Sequence, residues 1–379
     1  MAGIYIHIPF CRKACHYCNF HFSTRLGPME AMVDALLREM ELTAGFLNDA
    51  AVGTLYFGGG TPSLLPDAAL GRLIGAVRDR YSLQPDAEIT LEANPDDISR
   101  ERLSAWKSVG INRLSIGVQS FRDEDLRWMN RAHTAAEARE AIALARAAGF
   151  HHDSIDLIYG TPGLTDADLL SNLAQAIDLG CPHLSCYALT VEPRTALARD
   201  IRLGKMTPVD GDAQARQFLL LSETLRAAGY EHYEISNFAL PGHRSRHNSS
   251  YWQGIPYLGL GPSAHSFDGR NRRWNAANNE LYLQAIARGE IPFEQETLTP
   301  VQRLNEYTMT ALRTMEGMDM ERVGRDWGAD ARHQLEKVAE MALARQWMTR
   351  EGQRLILTAE GRLFADGIAS DLFLEEGTL

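Results

Sequence analysis

Cys11, Cys15 and Cys18 stand on one short stretch, Cys-x-x-x-Cys-x-x-Cys, close to the start of the chain. The chain has five cysteines, the other two being Cys181 and Cys186. An odd number with three packed together does not make a disulfide framework and points instead to metal or redox chemistry. Three thiolates on one tight loop can hold three corners of a [4Fe–4S] cluster and leave the fourth iron open to a further ligand. The same spacing also suits a zinc ion completed by His16 or His21.

An open iron can be chelated by the amino and carboxylate groups of S-adenosylmethionine (SAM), whose sulfonium an electron from the reduced cluster would cleave to a 5′-deoxyadenosyl radical. Holding such a ligand takes exposed backbone, a carboxylate, a cation and a ribose acceptor. Gly58-Gly59-Gly60-Thr61-Pro62 can bring polar backbone close to its amino-acid end. Glu92 can pair with its ammonium. Gln119 and Arg131 follow a later strand, and Arg131 can clamp a carboxylate through two parallel hydrogen bonds. Asp156, in an otherwise apolar run, can accept from ribose hydroxyls. Taken one at a time, each has a plainer reading: a glycine turn, a solvated carboxylate, a surface ion-pair partner, a satisfied structural acid.

These residues fall where strand gives way to helix. Tyr5–Ile8, Thr54–Phe57, Glu88–Leu91, Arg113–Ile116, Ser154–Ile158 and Leu184–Ala188 read as short strands. Met29–Phe46, Ala68–Arg80, Arg100–Val109, Ala135–Ala148 and Asp166–Asp178 read as helices between them. Six strands alternating with these helices predict a parallel sheet, curled by right-handed crossovers into a full or partial barrel. Function in such folds sits on the loops after the strand ends. Past about residue 200 the rhythm breaks. The expected organisation is α/β: a partial (β/α)6 barrel with the cysteine loop over 1–205, an α+β extension over 206–298, and a small helical, winged-helix-like module over 299–379.

Tyr5-Ile-His-Ile-Pro-Phe-Cys11 running into Cys-x-x-x-Cys-x-Tyr-Cys resembles the radical SAM signature of the HemN/HemW group. The resemblance runs over nearly the whole chain. Gly58 to Pro62, Glu92-Ala-Asn94-Pro95, Ser115-Ile-Gly117-Val-Gln119-Ser-Phe, Asn130-Arg131 and Asp156-Leu-Ile-Tyr-Gly160 keep the group's order and spacing. It implies a [4Fe–4S] cluster on Cys11, Cys15 and Cys18. It also implies SAM contacts at Tyr5, Tyr17, Gly59, Gly60, Thr61, Glu92, Gln119, Arg131, Asp156 and Ala188, some of which in the HemN type belong to a second SAM molecule.

Within that group, HemN-type members oxidise coproporphyrinogen III, whereas HemW-type members bind haem and are regarded as haem chaperones. Three features are similar to the second type. Phe20 stands where the oxidase carries a further cysteine, the chain starts at its first strand, and His247-Asn-Ser-Ser-Tyr251-Trp252 resembles the HNxxYW region. Tyr257-Leu-Gly-Leu-Gly261 and Ala264-His265-Ser266 follow it. A neutral histidine can ligate haem iron and aromatic rings can cover the macrocycle. That makes His247 the first candidate ligand, Tyr251 and Trp252 candidate haem contacts, and His265, Cys181 and Cys186 further candidates. The alternative is a packed aromatic corner around a hydrogen-bonded histidine that shapes the end of the barrel. The expected partners are haem or a porphyrin, and haem-recipient proteins at the face of a respiratory membrane.

Bulk properties narrow the rest. The formal net charge is −11, from 38 Lys and Arg against 49 Asp and Glu. Such a chain is a poor phosphate-backbone binder. The C-terminal module has 14 acidic against 10 basic residues, so a winged-helix shape there does not imply DNA binding. No stretch approaches the ~18 apolar residues of a membrane span, and the start lacks a secretory signal pattern. A cytoplasmic protein with at most peripheral membrane contact is expected.

Overall fold

Six strands carry the site: β1 (Ala2–Ile8), β2 (Val52–Gly59), β3 (Leu83–Ala93), β4 (Arg113–Gln119), β5 (Ser154–Tyr159) and β6 (His183–Ala188). They pair in sequence order and all in parallel. The computed structural model describes residues 1–375 and 377; residues 376, 378 and 379, the last of the expected 299–379 module, lie outside the described residues.

Each strand splits into two phases, because successive side chains point to opposite faces. One phase is apolar and buried: Ile4, Ile6 and Ile8 in β1, Leu55 and Phe57 in β2, Leu114 and Ile116 in β4. It packs under the crossover helices α1 (Met29–Leu42), α2 (Asp67–Arg80), α3 (Arg100–Val109), α5 (Ala135–Ala147) and α6 (Asp166–Asp178), with the short α4 (Asp123–Trp128) ahead of α5. The other phase faces the lumen and is polar: Tyr5, Tyr56, Glu92, Ser115, Gln119 and Asp156. The helices start where local chemistry says they should. Ser99 caps α3, and Thr134 with Glu137 and Thr165 with Asp168 form reciprocal capping boxes on α5 and α6.

Past β6 come α7 (Ala196–Arg202), α8 (Gly211–Ala227), β7 (Glu231–His232), β8 (Asn237–Ala239), α9 (Arg246–Trp252), β9 (Tyr257–Leu260), β10 (His265–Phe267), β11 (Asn271–Asn275), α10 (Asn279–Ala287) and β12 (Phe293–Thr297). These short strands extend both edges, giving the order β12-β11-β10-β9-β1-β2-β3-β4-β5-β6-β8-β7. The end strands do not meet, so the barrel is partial. The expected strand–helix alternation and the break near residue 200 both appear.

The chain closes with α11 (Pro300–Leu312), β13 (Met318–Asp319), α12 (Met320–Trp327), α13 (Ala329–Ala344), β14 (Met348–Glu351), β15 (Arg354–Leu357) and α14 (Ala365–Asp371). β13, β15 and β14 form their own antiparallel sheet. Leu304, Leu312, Met320, Val323, Leu335 and Leu355 belong to an apolar cluster separate from the barrel core. No described helix is long and apolar enough to cross a membrane.

Candidate cluster site and neighbouring cavity

The cysteine loop leaves the C-terminal end of β1 and is pinned on both flanks. The Cys11 N–H donates to the Ser23 carbonyl (3.0 Å). On the other side the loop is stitched to the turn after α4. The His16 N–H donates to the Met129 carbonyl (3.1 Å), the His16 ring bonds the Trp128 carbonyl (2.9 Å), and the Asn130 amide donates to the Ala14 carbonyl (2.7 Å). Two donors face the sulfurs: the Thr61 hydroxyl toward Cys11 Sγ and the Arg131 guanidinium toward Cys15 Sγ, both at 3.4 Å. Burial raises the Cys11 and Cys18 thiols, Cys18 to about 11. Iron binding would have to supply the driving force for their ionisation.

Neither histidine offered for a zinc site lines the cavity that holds the three thiols. His21 Nε2 is bonded to Asn279 Oδ1 (2.7 Å). Among the described residues no three Cys, His, Asp or Glu side chains converge on a single-ion position. Cysteines that bind separate irons of a cluster stand farther apart than ligands of one ion.

That cavity has a volume of about 400 Å³. Tyr17, Gly59, Gly60, Thr61, Glu92, Gln119, Arg131, Asp156 and Ala188 all line it together with the three cysteines. Gly59 and Gly60 are there because nothing larger fits. Gly59 has φ +110°, and a Cβ would sit 2.5 Å from the His7 ring; one on Gly60 would sit 2.6 Å from the Phe10 carbonyl oxygen. The Tyr56 hydroxyl and the Gly59 N–H donate to the two oxygens of Glu92 (2.8 and 3.0 Å). Burial still raises that carboxyl to about 7, with Asp156 nearby adding to the rise. Asp156 itself is raised to about 6 by burial, against hydrogen bonding from Ser185 and Ser115 and the charge of Arg131. Arg131 donates to Asn94 Oδ1 and to the Gly117 carbonyl, each at 2.7 Å. Its Nε is buried and unpaired among the described residues. Gln119 holds φ +66°, a strained position for a side-chain-bearing residue.

This donor set fits a cluster carrying a chelated amino acid. There are three thiols with no fourth protein ligand, a carboxyl that can accept a hydrogen bond from an iron-bound amino group, and a guanidinium with an unused donor. Asn94, Ser115, Gly117, Tyr187 and Thr190 also line the cavity, without having been singled out as ligand contacts. Ser115 and Gly117 share the lumen phase of β4 with Gln119, so period-two counting from Gln119 reaches both.

Tyr5 stands apart from the other expected SAM contacts. Its hydroxyl bonds His7 Nδ1 (3.1 Å), and its ring lines a second, larger cavity of about 850 Å³. This one opens between the β9–β11 edge of the barrel and the C-terminal module. Tyr251, Trp252, Tyr257, Phe267, Tyr307 and Trp327 supply aromatic walls, with Arg272, Arg303 and Arg322 among the lining residues. Asn19 and Phe20 line both cavities, and Phe20 is 68% exposed.

His247 does not line the larger cavity. It starts α9, buried, and plugs the lumen at the level of the first strand residues. Its Nδ1 bonds the Thr54 hydroxyl and its Nε2 the Tyr251 hydroxyl, both at 2.8 Å. Its ring stacks on Tyr56 at 4.9 Å. Burial lowers it to about 3, so it is neutral with both nitrogens engaged. Of the HNxxYW segment, Tyr251 and Trp252 reach the cavity, and the hydrogen-bonded aromatic corner describes His247. Cys181 and Cys186 are buried in the barrel core and line neither cavity, so they are not placed to ligate a group held in either one.

Three cysteines at the C-terminal end of the first strand of a partial parallel barrel, facing glycine, carboxylate and arginine at the ends of later strands, define a radical SAM protein. Residues 5–176 match the model of the radical SAM superfamily, and residues 298–364 match the HemN C-terminal domain. Such a family implies a [4Fe–4S] cluster and SAM. The Heme chaperone HemW of Mycobacterium tuberculosis is 39% identical over 98% of this chain and 94% of its own. HemW of Escherichia coli K12 is 34% identical over 99% of this chain and 98% of its own. Coproporphyrinogen III oxidase HemN from Escherichia coli, a solved radical SAM enzyme, superposes with a TM-score of 0.85 at 25% identity, over 98% of this chain and 90% of that one. The chain belongs to the HemW family.

Proposed function

We propose that this protein is a haem chaperone. The smaller cavity holds a [4Fe–4S] cluster on Cys11, Cys15 and Cys18 with SAM beside it, and the larger cavity carries haem for transfer to haem-dependent proteins. The observation that carries this reading is the second cavity. Its volume lies within the ~300–1,000 Å³ of sites that enclose sizeable ligands, and it has aromatic walls with three arginines and two carboxylates, Glu306 and Asp326, in its lining. It shares only the Asn19–Phe20 wall with the cluster site. A cluster held by the three cysteines would supply an electron to bound SAM. The chain's own part is to accept from the ligand's amino group on Glu92, to hold its carboxylate with Arg131, and to keep the two cavities apart with Phe20.

Likeness to HemN favours a second reading, coproporphyrinogen oxidation, and one pair of assays separates the two. Protein reconstituted without oxygen should bind haem stoichiometrically and leave coproporphyrinogen III unchanged. Turnover on the order of 1 per second or faster would replace the chaperone reading with the oxidase. Recipients at a respiratory membrane follow as the natural destination, checked by haem transfer from the loaded protein to an apo-form haem enzyme.

A further inference from the structure

Three histidines line the larger cavity: His7, His21 and His265. Two are committed. His7 bonds Tyr5 through Nδ1 and the His21 carbonyl through Nε2 (3.1 and 2.8 Å), and His21 bonds Asn279 (2.7 Å). His265 is different. Its ring nitrogens have no hydrogen-bond partner among the described residues. It lies on β10, where period two turns His265 and Phe267 to the cavity and sends Ser266 into the core, against Gly259. Across the antiparallel pair, Trp274 stands beside the exposed imidazole at 6.1 Å with the rings 28° apart. Partial burial and the charge of Arg272 lower its pKa, which favours the neutral form that metals bind.

The cavity's arginines divide in the same way. Arg272 pairs with Glu306 (2.7 Å) and Arg322 with Asp326 (3.3 Å). Arg303 has no ion pair among the described residues. A cavity with one uncommitted imidazole, one uncommitted guanidinium and aromatic walls suits a flat metal chelate with carboxylate arms.

Resting on the haem reading above, we propose that His265, not His247, is the axial ligand of the haem iron, and that Arg303 holds a propionate. His247 would have to break two buried hydrogen bonds to serve. His265 breaks none.

The test titrates ferric haem into the full-length, anaerobically reconstituted protein, following the Soret band and the haem electron paramagnetic resonance spectrum. Cluster absorbance and circular dichroism monitor the fold. In H265A the wild-type axial signature disappears and affinity falls at least about tenfold, and added imidazole restores the signature in H265G. H247A keeps the signature. R303M weakens haem binding roughly two- to fivefold but leaves haem dimethyl ester, which lacks the charged arms, unaffected. Wild-type spectrum and affinity in H265A would overturn the ligand assignment while haem binding stands. Equal losses of haem and its ester in R303M would overturn the propionate assignment. A wild-type protein that takes up no haem would instead remove the function proposed above.

Discussion

The two cavities are built on opposite plans. The cluster cavity is lined by the strand ends of one barrel, and most of its polar groups are already paired: Glu92 by Tyr56 and Gly59, Arg131 by Asn94 and Gly117. The larger cavity is a seam between two separately packed units, lined by aromatic faces and by an imidazole and a guanidinium that have no hydrogen-bond or ion-pair partner among the described residues. A preorganised site holds its ligand in one geometry, as radical chemistry requires. A seam with loosely committed groups can take a large ligand and give it up again, as a carrier requires. If that contrast is right, the two sites should fail separately.

The largest separation comes from Cys15→Ala. Iron and sulfide should be lost almost completely on metal analysis, while haem titration still shows binding; loss of both together would join the sites. Next is Glu92→Gln, which removes a buried charge partner and should weaken SAM by about 2 kcal/mol or more with cluster content and haem affinity unchanged. The same residue predicts a pH profile. Burial holds Glu92 near 7 and Asp156 near 6, and Glu92 accepts a hydrogen bond from the ligand's amino group best when ionised. SAM affinity should therefore rise with pH up to about 7, by at most about tenfold per unit, and flatten above. Both carboxyls are raised above their unfolded values, so their burial costs the ligand-free fold stability as pH climbs through that range, and the cost is complete above about 7.

A third perturbation acts on the seam alone. Leu335→Ala opens the core of the C-terminal module and should cost about 2–5 kcal/mol of its stability, seen as an earlier melting step. Haem affinity should drop with it and the cluster signal should not. The smallest expected effect is Trp252→Ala, which trims one aromatic wall and should weaken haem by about 1 kcal/mol, with SAM binding untouched.

The same contrast explains what the sequence made legible. In a parallel barrel each ligand contact sits at a fixed place, the end of a strand, and strands are separated by predictable helices. Glu92, Gln119, Arg131 and Asp156 could thus be matched in order to the motifs of the family that the chain resembles, and they line one cavity. Asn130 resembled the family only as part of a dipeptide, and the structure makes it the brace of the cysteine loop. His247 shows where spacing stops being informative. Its partner Thr54 is 193 positions away, and only tertiary packing reveals that both ring nitrogens are taken. The larger cavity was out of reach for a similar reason. Trp327 of the C-terminal module meets Tyr5 and His265 of the barrel sheet only because the module docks against the barrel edge, and docking leaves no periodic mark on a chain.

The most direct test is a haem titration of the reconstituted protein with and without saturating SAM, while the reduced cluster's electron paramagnetic resonance spectrum reports SAM occupancy. Two separate cavities predict stoichiometric haem whose affinity shifts by no more than roughly twofold when SAM is present, with the SAM signature intact at full haem loading. Mutual displacement of haem and SAM would mean that one cavity serves both, and would contradict the account.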